Sequence, residues 1–184
     1  ELLRQILQGS VYQSDPNLGN FGILHNTDGK PVLGKRGEPQ VIWYDSGAIE
    51  AISKEDQTLL LRLIKNIFTQ SRELPETLLA MIKDSDGKAA LTTELQDWVT
   101  TNLDIKTKSL DQVKSIFESF TDWVSEHNLE IDDKWISLAD TLAMLAPLIE
   151  GCPEAIITTL VTQSMTKAGL LNPAERLALR FNLV

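Results

Sequence analysis

Three side chains near the start of the chain have the type and spacing to handle a divalent cation and a phosphate. Asp15 stands in Gln13-Ser14-Asp15-Pro16-Asn17-Leu18-Gly19-Asn20, which packs one acid, three amides, a proline and a glycine into eight residues. Asp45 follows in Trp43-Tyr44-Asp45-Ser46-Gly47. A cation that bridges phosphates needs a few hard oxygen ligands in fixed positions. Asn20, at the end of a Pro/Gly loop, and Asp45, on a tight Asp-Ser-Gly turn, carry such oxygens. Phosphoryl transfer also gains from a carboxylate that orients or deprotonates the acceptor hydroxyl. Asp15, five residues before Asn20, suits that role. Gly47 lets the backbone turn sharply after Asp45.

These residues need elements to hold them. Asp15 precedes Pro16, which biases it away from helical backbone, so 15–20 is a loop. Phe21-Gly22-Ile23-Leu24 is a short apolar run, and Val41-Ile42-Trp43-Tyr44 is rich in β-branched and aromatic residues. Between them, Asn26-Thr27-Asp28-Gly29 is a turn signal, and Pro31 to Pro39 extends that turn into solvent. The spacing predicts a hairpin over 21–44 with a long tip, which brings Asn20 and Asp45 to the same end. Upstream, Leu2, Leu3, Ile6 and Leu7 mark a helix that Gly9-Ser10 can end.

From residue 53 the period becomes helical. Ser53 with Asp56 is an N-cap pair, and Leu59, Leu60, Leu63, Ile64, Ile67 and Phe68 form an apolar stripe. Pro75 can start a second helix, broken by Asp84-Ser85-Asp86-Gly87. Thr93 with Gln96 and Ser109 with Gln112 have capping-box spacing and predict two helix starts. The second helix carries Leu110, Val113, Phe117, Phe120 and Val124. Trp135, Leu138, Ala139, Leu142, Leu145 and Ala146 make a further stripe, expected to end near Pro147. Pro153 to Lys167 is another helix with Gly169 past its end, and Asn172-Pro173-Ala174-Glu175 caps the last. The expected class is mainly α with a small β-hairpin. No repeat or low-complexity linker interrupts it, so 1–184 is expected as a single domain: hairpin and site in 1–52, helical scaffold in 53–184.

Composition narrows the function. The net charge of −9, with no cluster of Lys and Arg along the chain, argues against nucleic acid as a partner. No apolar run approaches the roughly 18 residues of a membrane span, and no secretory signal opens the chain. Together with the single Cys152, these point to a reducing, cytoplasmic setting. Cys152 itself is expected to be a small buried hydrophobe, and the four tryptophans are expected to serve core packing. Asp84-Ser85-Asp86-Gly87 does not make a calcium loop. With Gly87 at loop position 6, positions 1 and 12 would be Ile82 and Thr93, and neither is acidic. His25 is expected on the hairpin surface and His127 at a helix end, and neither is assigned a function. The chain opens inside a helix-like pattern without an initiating Met, which predicts a piece of a longer protein.

The Asp15–Asn20 spacing is that of the catalytic Asp and metal-binding Asn of the protein-kinase pattern. Asp15-Pro16-Asn17-Leu18-Gly19-Asn20-Phe21, an Asp-Gly turn and then Val41 to Gly47 together resemble the UbiB/AarF family of atypical kinases. That family usually has a His-x-Asp-Pro-His-Pro-Gly-Asn loop, a hairpin and an Asp-Phe-Gly. The resemblance covers residues 1–52 and implies a protein-kinase-like C-terminal lobe. It also implies ATP and Mg²⁺ as cofactors, with Asp15 at the catalytic position and Asn20 and Asp45 as metal ligands. Isoprenoid-quinone or lipid metabolism, a separate N-terminal kinase lobe to complete the site, and a lipid or membrane surface that the chain would meet peripherally are implied as well. Gln13, Asn17, Leu18 and Ser46 replace the family's two histidines, a proline and a phenylalanine. They motivate an alternative, a degenerate pseudokinase-like binding module. A free-standing helical interaction domain is the third reading. Kinase or ATPase activity is expected only when the N-terminal lobe is present.

Overall fold

Helix α1 (Leu2–Gln8) buries Ile6 and Leu7 and stops at Gly9, where a β-carbon would sit 2.6 Å from the Gln5 carbonyl oxygen. Strand β1 (Val11–Gln13) follows at once. Its partner β4 (Ile49–Ala51) lies beyond the hairpin, with Val11 opposite Ala51 and Gln13 opposite Ile49 in an antiparallel ladder. Sequence patterning did not predict this second sheet. Three-residue strands are too short for a period-2 signal. The computed structural model describes residues 1–35, 37–45, 48–69, 71–83, 88–102, 110–150 and 152–175.

The hairpin forms where expected, from β2 (Phe21–Ile23) and β3 (Val41–Trp43), with Phe21 opposite Trp43 and Ile23 opposite Val41. Its tip is more ordered than a long exposed turn. The Leu24 N–H donates to Gln40 O (2.9 Å), Gln40 N–H to Val32 O (2.8 Å), and Val32 N–H to Leu24 O (2.8 Å). This closed ring of three bonds divides the tip into two small loops. One turns at Asn26, whose side-chain oxygen accepts from the Asp28 and Lys30 amides, and Gly29 takes φ +73 there. The other turns at Gly37, with φ +82. Pro31 and Pro39 stand in the bridges opposite His25 and Leu33, while 24, 32 and 40 carry the bonds. Proline, which has no N–H to give, is tolerated in such positions.

Among the described residues that follow, six helices are formed: α2 (Lys54–Thr69), α3 (Leu74–Leu79), α4 (Lys88–Asn102), α5 (Leu110–Glu126), α6 (Asp133–Glu150) and α7 (Glu154–Lys167). Ser53 caps α2, its hydroxyl accepting from the Asp56 amide and donating to the Asp56 carboxylate. Pro75 lies in the first turn of α3. Gly169 follows α7 with φ +70. Asn172 and Glu175 satisfy each other's amides reciprocally, as a capping box requires. One core runs from Ile6 to Leu171 and takes Leu60, Leu61, Leu63 and Ile67 from α2, Phe120, Trp123 and Val124 from α5, and Trp135, Leu138 and Leu145 from α6.

Several sequence expectations need correction. Thr93 lies inside α4, which has already begun at Lys88. Any helix containing Thr-x-x-Gln satisfies that local pattern. Helix α3 ends at Leu79, ahead of Asp84 to Gly87, which lie outside the described residues, as does Ser109. Helix α6 continues through Pro147 to Glu150. A proline withdraws one amide from the ladder, and packing elsewhere along the helix can carry that loss. Cys152 is exposed rather than buried. Trp43 stacks on Phe21 (ring centroids 6.3 Å apart) and takes no part in the helical core, whereas Trp123 and Trp135 are central to it.

Candidate functional site

The loop after β1 is built from its own side chains. Pro16 is fully buried and anchors it. Asn17 accepts the Gly19 amide on its side chain (2.9 Å) and the Asn20 amide on its carbonyl (2.9 Å), closing a 3₁₀ turn at Leu18–Asn20. This is the local bonding that favours Asn in turns. The turn delivers Asn20 back to Asp15. Its side-chain nitrogen donates to the Asp15 main-chain oxygen (3.2 Å) and to Asp15 Oδ2 (3.1 Å). Two of the three predicted site residues are therefore in direct contact.

The hairpin brings the third. The Tyr44 amide donates to the Asn20 carbonyl at 2.7 Å, so pairing of the two chain segments continues to the edge of the site. Gly22 admits the Tyr44 ring over the strand, since a β-carbon there would meet the Tyr44 hydroxyl at 2.8 Å. Asp45 follows directly and is exposed. Its carbonyl oxygen accepts from Gln13 Nε2 at 3.3 Å, and the same nitrogen reaches the Asp15 carbonyl at 3.3 Å. The main chains of Asp15 and Asp45 are thus tied to one buried amide. Ser46 and Gly47 lie outside the described residues, so the turn expected of Gly47 is not described.

A second set of side chains braces this loop from α6. Thr141, fully buried, shares its hydroxyl hydrogen between the Ser137 carbonyl (2.9 Å) and the Ser14 carbonyl (3.1 Å), and Ser14 gives both its amide and its hydroxyl to the Ala48 carbonyl. Across the β1–β4 ladder, Glu50 accepts from Tyr12 (2.9 Å) and from Ser137 (2.6 Å). The Ser137 hydroxyl, with help from Tyr12, holds the Glu50 carboxyl below its ordinary value against the opposing effect of burial. Burial and the neighbouring Glu50 push the Tyr12 phenol up to about 12. Sequence reading missed Glu50, Ser137 and Thr141. Ser137 and Thr141 contact residues 87 and 127 positions away, and no local pattern signals a partner at that distance. Gln13 had a visible signal, because it stands where the resembled family has its first histidine.

The side-chain types gathered here, carboxylates and a primary amide, are those a hard cation takes as ligands. With its nitrogen committed to Asp15, Asn20 keeps its side-chain oxygen as an acceptor, the atom a Mg²⁺ ligand needs. Asp15 and Asp45 add carboxylates. Gln13 Oε1 is buried and has no hydrogen-bond partner among the described residues. No group of three His, Cys, Asp or Glu side chains converges among the described residues, and it is the main chain of Asp45 that the Gln13 amide holds beside Asp15. His25 is exposed on the hairpin. His127 stacks on Trp123 (4.1 Å) and its Nδ1 lies 2.8 Å from the Trp123 carbonyl, a packing role at the end of α5. Among the described residues no helix is long and apolar enough to cross a membrane. Comparison of the chain with protein-family models, with the curated proteins and with the solved structures finds no match.

Proposed function

We propose that this chain is the C-terminal lobe of an atypical, protein-kinase-like ATP-binding protein or ATPase. The observation that carries the reading is the double contact of Asn20 with Asp15, set beside the Gln13 amide that ties Asp15 to Asp45. Asn20 and Asp45 would hold Mg²⁺, which when bound neutralises the nucleotide phosphates. Asp15, oriented by the Asn20 amide, accepts the hydroxyl proton of the phosphoryl acceptor or positions that hydroxyl. A separate N-terminal lobe would supply the remaining phosphate contacts. The family link to isoprenoid-quinone or lipid metabolism, and with it a lipid surface as partner, rests on the resemblance of residues 1–52.

The test is calorimetric titration of ATP into the full natural protein, with and without Mg²⁺. Binding is expected to require Mg²⁺ and to be lost in Asp45→Asn, while Asp15→Asn binds ATP but does not turn it over. Undiminished Mg²⁺-dependent binding in Asp45→Asn would overturn the reading.

A second reading, a degenerate module that binds a partner without turnover, is favoured by the hairpin surface. By register Ile23, Leu33 and Val41 share one face, and they are 46%, 56% and 57% exposed. No described residue of the hairpin enters the core. This reading predicts Mg²⁺-independent partner binding that Leu33→Glu abolishes and Asp15→Asn leaves intact. ATP hydrolysis that depends on Asp15 would exclude it.

A further inference from the structure

The cation cluster that the sequence does not show is assembled by the fold. A cleft of about 510 Å³ opens between α1, the start of α2 and the end of α7, within the roughly 300–1,000 Å³ of small-molecule sites. Arg4, Lys54 and Lys167 line it, and among the described residues Glu1 is the one acid on its wall. Arg4 takes up Glu1 in a two-point ion pair, at 2.8 and 3.0 Å.

The two lysines are different. Lys167 Nζ donates to Gln8 Oε1 and Lys54 Nζ to Gln57 Oε1, each at 3.0 Å, and both acceptors are neutral amides. Among the described residues neither lysine has a carboxylate within ion-pair distance. Lys65 has one, and Lys83 and Lys134 have two each. The chain carries 26 acids against 17 cations, and on this cleft two ammonium groups face a single acid, Glu1, among the described residues. The amides are fixed in turn. Gln57, 3% exposed, gives its hydrogens to the carbonyls of Ile6 and Gly9, and Gln8 donates to Ser164 Oγ at 2.9 Å. Leu7 and Leu61, both buried, add apolar surface to the wall.

We infer that this cleft binds a small phosphomonoester, with Lys54 and Lys167 on the phosphate and Leu7 and Leu61 beside its organic part. A phosphomonoester carries close to two negative charges at neutral pH and offsets both lysines, whereas a carboxylate offsets one. A lysine ammonium is a compact point charge with three donors, of which these contacts occupy one. None of Asp15, Asn20 and Asp45 lines the cleft, so the inference is independent of the function proposed above and requires no divalent cation.

The test is titration of phenyl phosphate into the ¹⁵N-labelled chain in EDTA, with sodium acetate at matched ionic strength as the control. Saturable shifts are expected at the amides of Lys54, Thr58, Ser164 and Lys167. Lys54→Gln and Lys167→Gln should each weaken binding about tenfold, and Lys167→Arg should retain it. Both lysines are exposed, and thermal melts of the variants should overlay the parent. Shifts absent from these four amides, shifts equalled by acetate, or shifts unaffected by the two glutamine substitutions would each overturn the inference.

Discussion

The side-chain nitrogen of Gln13 lies 3.3 Å from the main-chain oxygen of Asp45, 32 positions further along the chain. The same nitrogen holds the carbonyl of Asp15. Gln13→Ala removes both bonds from a site that is 4% exposed. The expected loss is about 1–2 kcal/mol in urea unfolding. Asn17→Ala, at an exposed turn, is expected to cost less. Equal stability of Gln13→Ala and the parent would show that the tie is incidental.

Tyr12 gives a spectroscopic reading of the β1–β4 brace. Its phenol, desolvated and beside Glu50, is pushed up to about 12. A group whose folded pKa exceeds its unfolded value contributes stability below the unfolded value, about 10, and loses it as pH rises through the folded one. In Tyr44→Phe, where Tyr12 is the remaining tyrosine, tyrosinate absorbance should rise near pH 12 and together with unfolding. A rise near pH 10 in the folded chain would contradict the buried contact.

Glu50 works in the opposite direction. Its carboxyl is held below the ordinary 4.5 by the Ser137 hydroxyl and Tyr12. The stability it contributes is present above that value and is lost as pH falls through the lower folded value. As pH falls from the ordinary value of 4.5 through the lowered folded one, the parent should lose more stability than Glu50→Gln, and Ser137→Ala should lie between them. Parallel acid profiles for parent and Glu50→Gln would refute the assignment.

Core and hairpin should respond differently to truncation. Phe120 is fully buried and packs its ring against Trp98 and Trp123, with centroids 6.5 and 6.3 Å away. Phe120→Ala is expected to cost about 3–5 kcal/mol. Leu33, 56% exposed at the hairpin tip, is expected to change stability by no more than about 0.5 kcal/mol when cut to alanine. A large loss at Leu33 in urea unfolding would mean that the hairpin is part of the cooperative core.

What the sequence by itself determined is local. The 3.6-residue stripes of α2 and α6, the Ser53–Asp56 cap, the Asn172–Glu175 capping box and the Asn26–Gly29 turn each involve residues a few positions apart, and short-range bonding settles them. The pairing of Asp15 with Asn20 belongs here too, because one turn between Asn17 and Asn20 folds the five-residue spacing into contact. The tertiary structure decided everything that required distant segments to meet. The β1–β4 ladder joins Val11 to Ala51 and Gln13 to Ile49, segments on either side of the hairpin that three-residue strands do not announce. Thr141 reaches Ser14, and Ser137 reaches Glu50, only because α6 lies against that ladder. The cleft cations come from α1, α2 and α7, so no run of Lys and Arg announces them. Local signals were overridden in the other direction at Thr93 and Pro147, where a longer helix carries a residue whose own preference is to begin or end one.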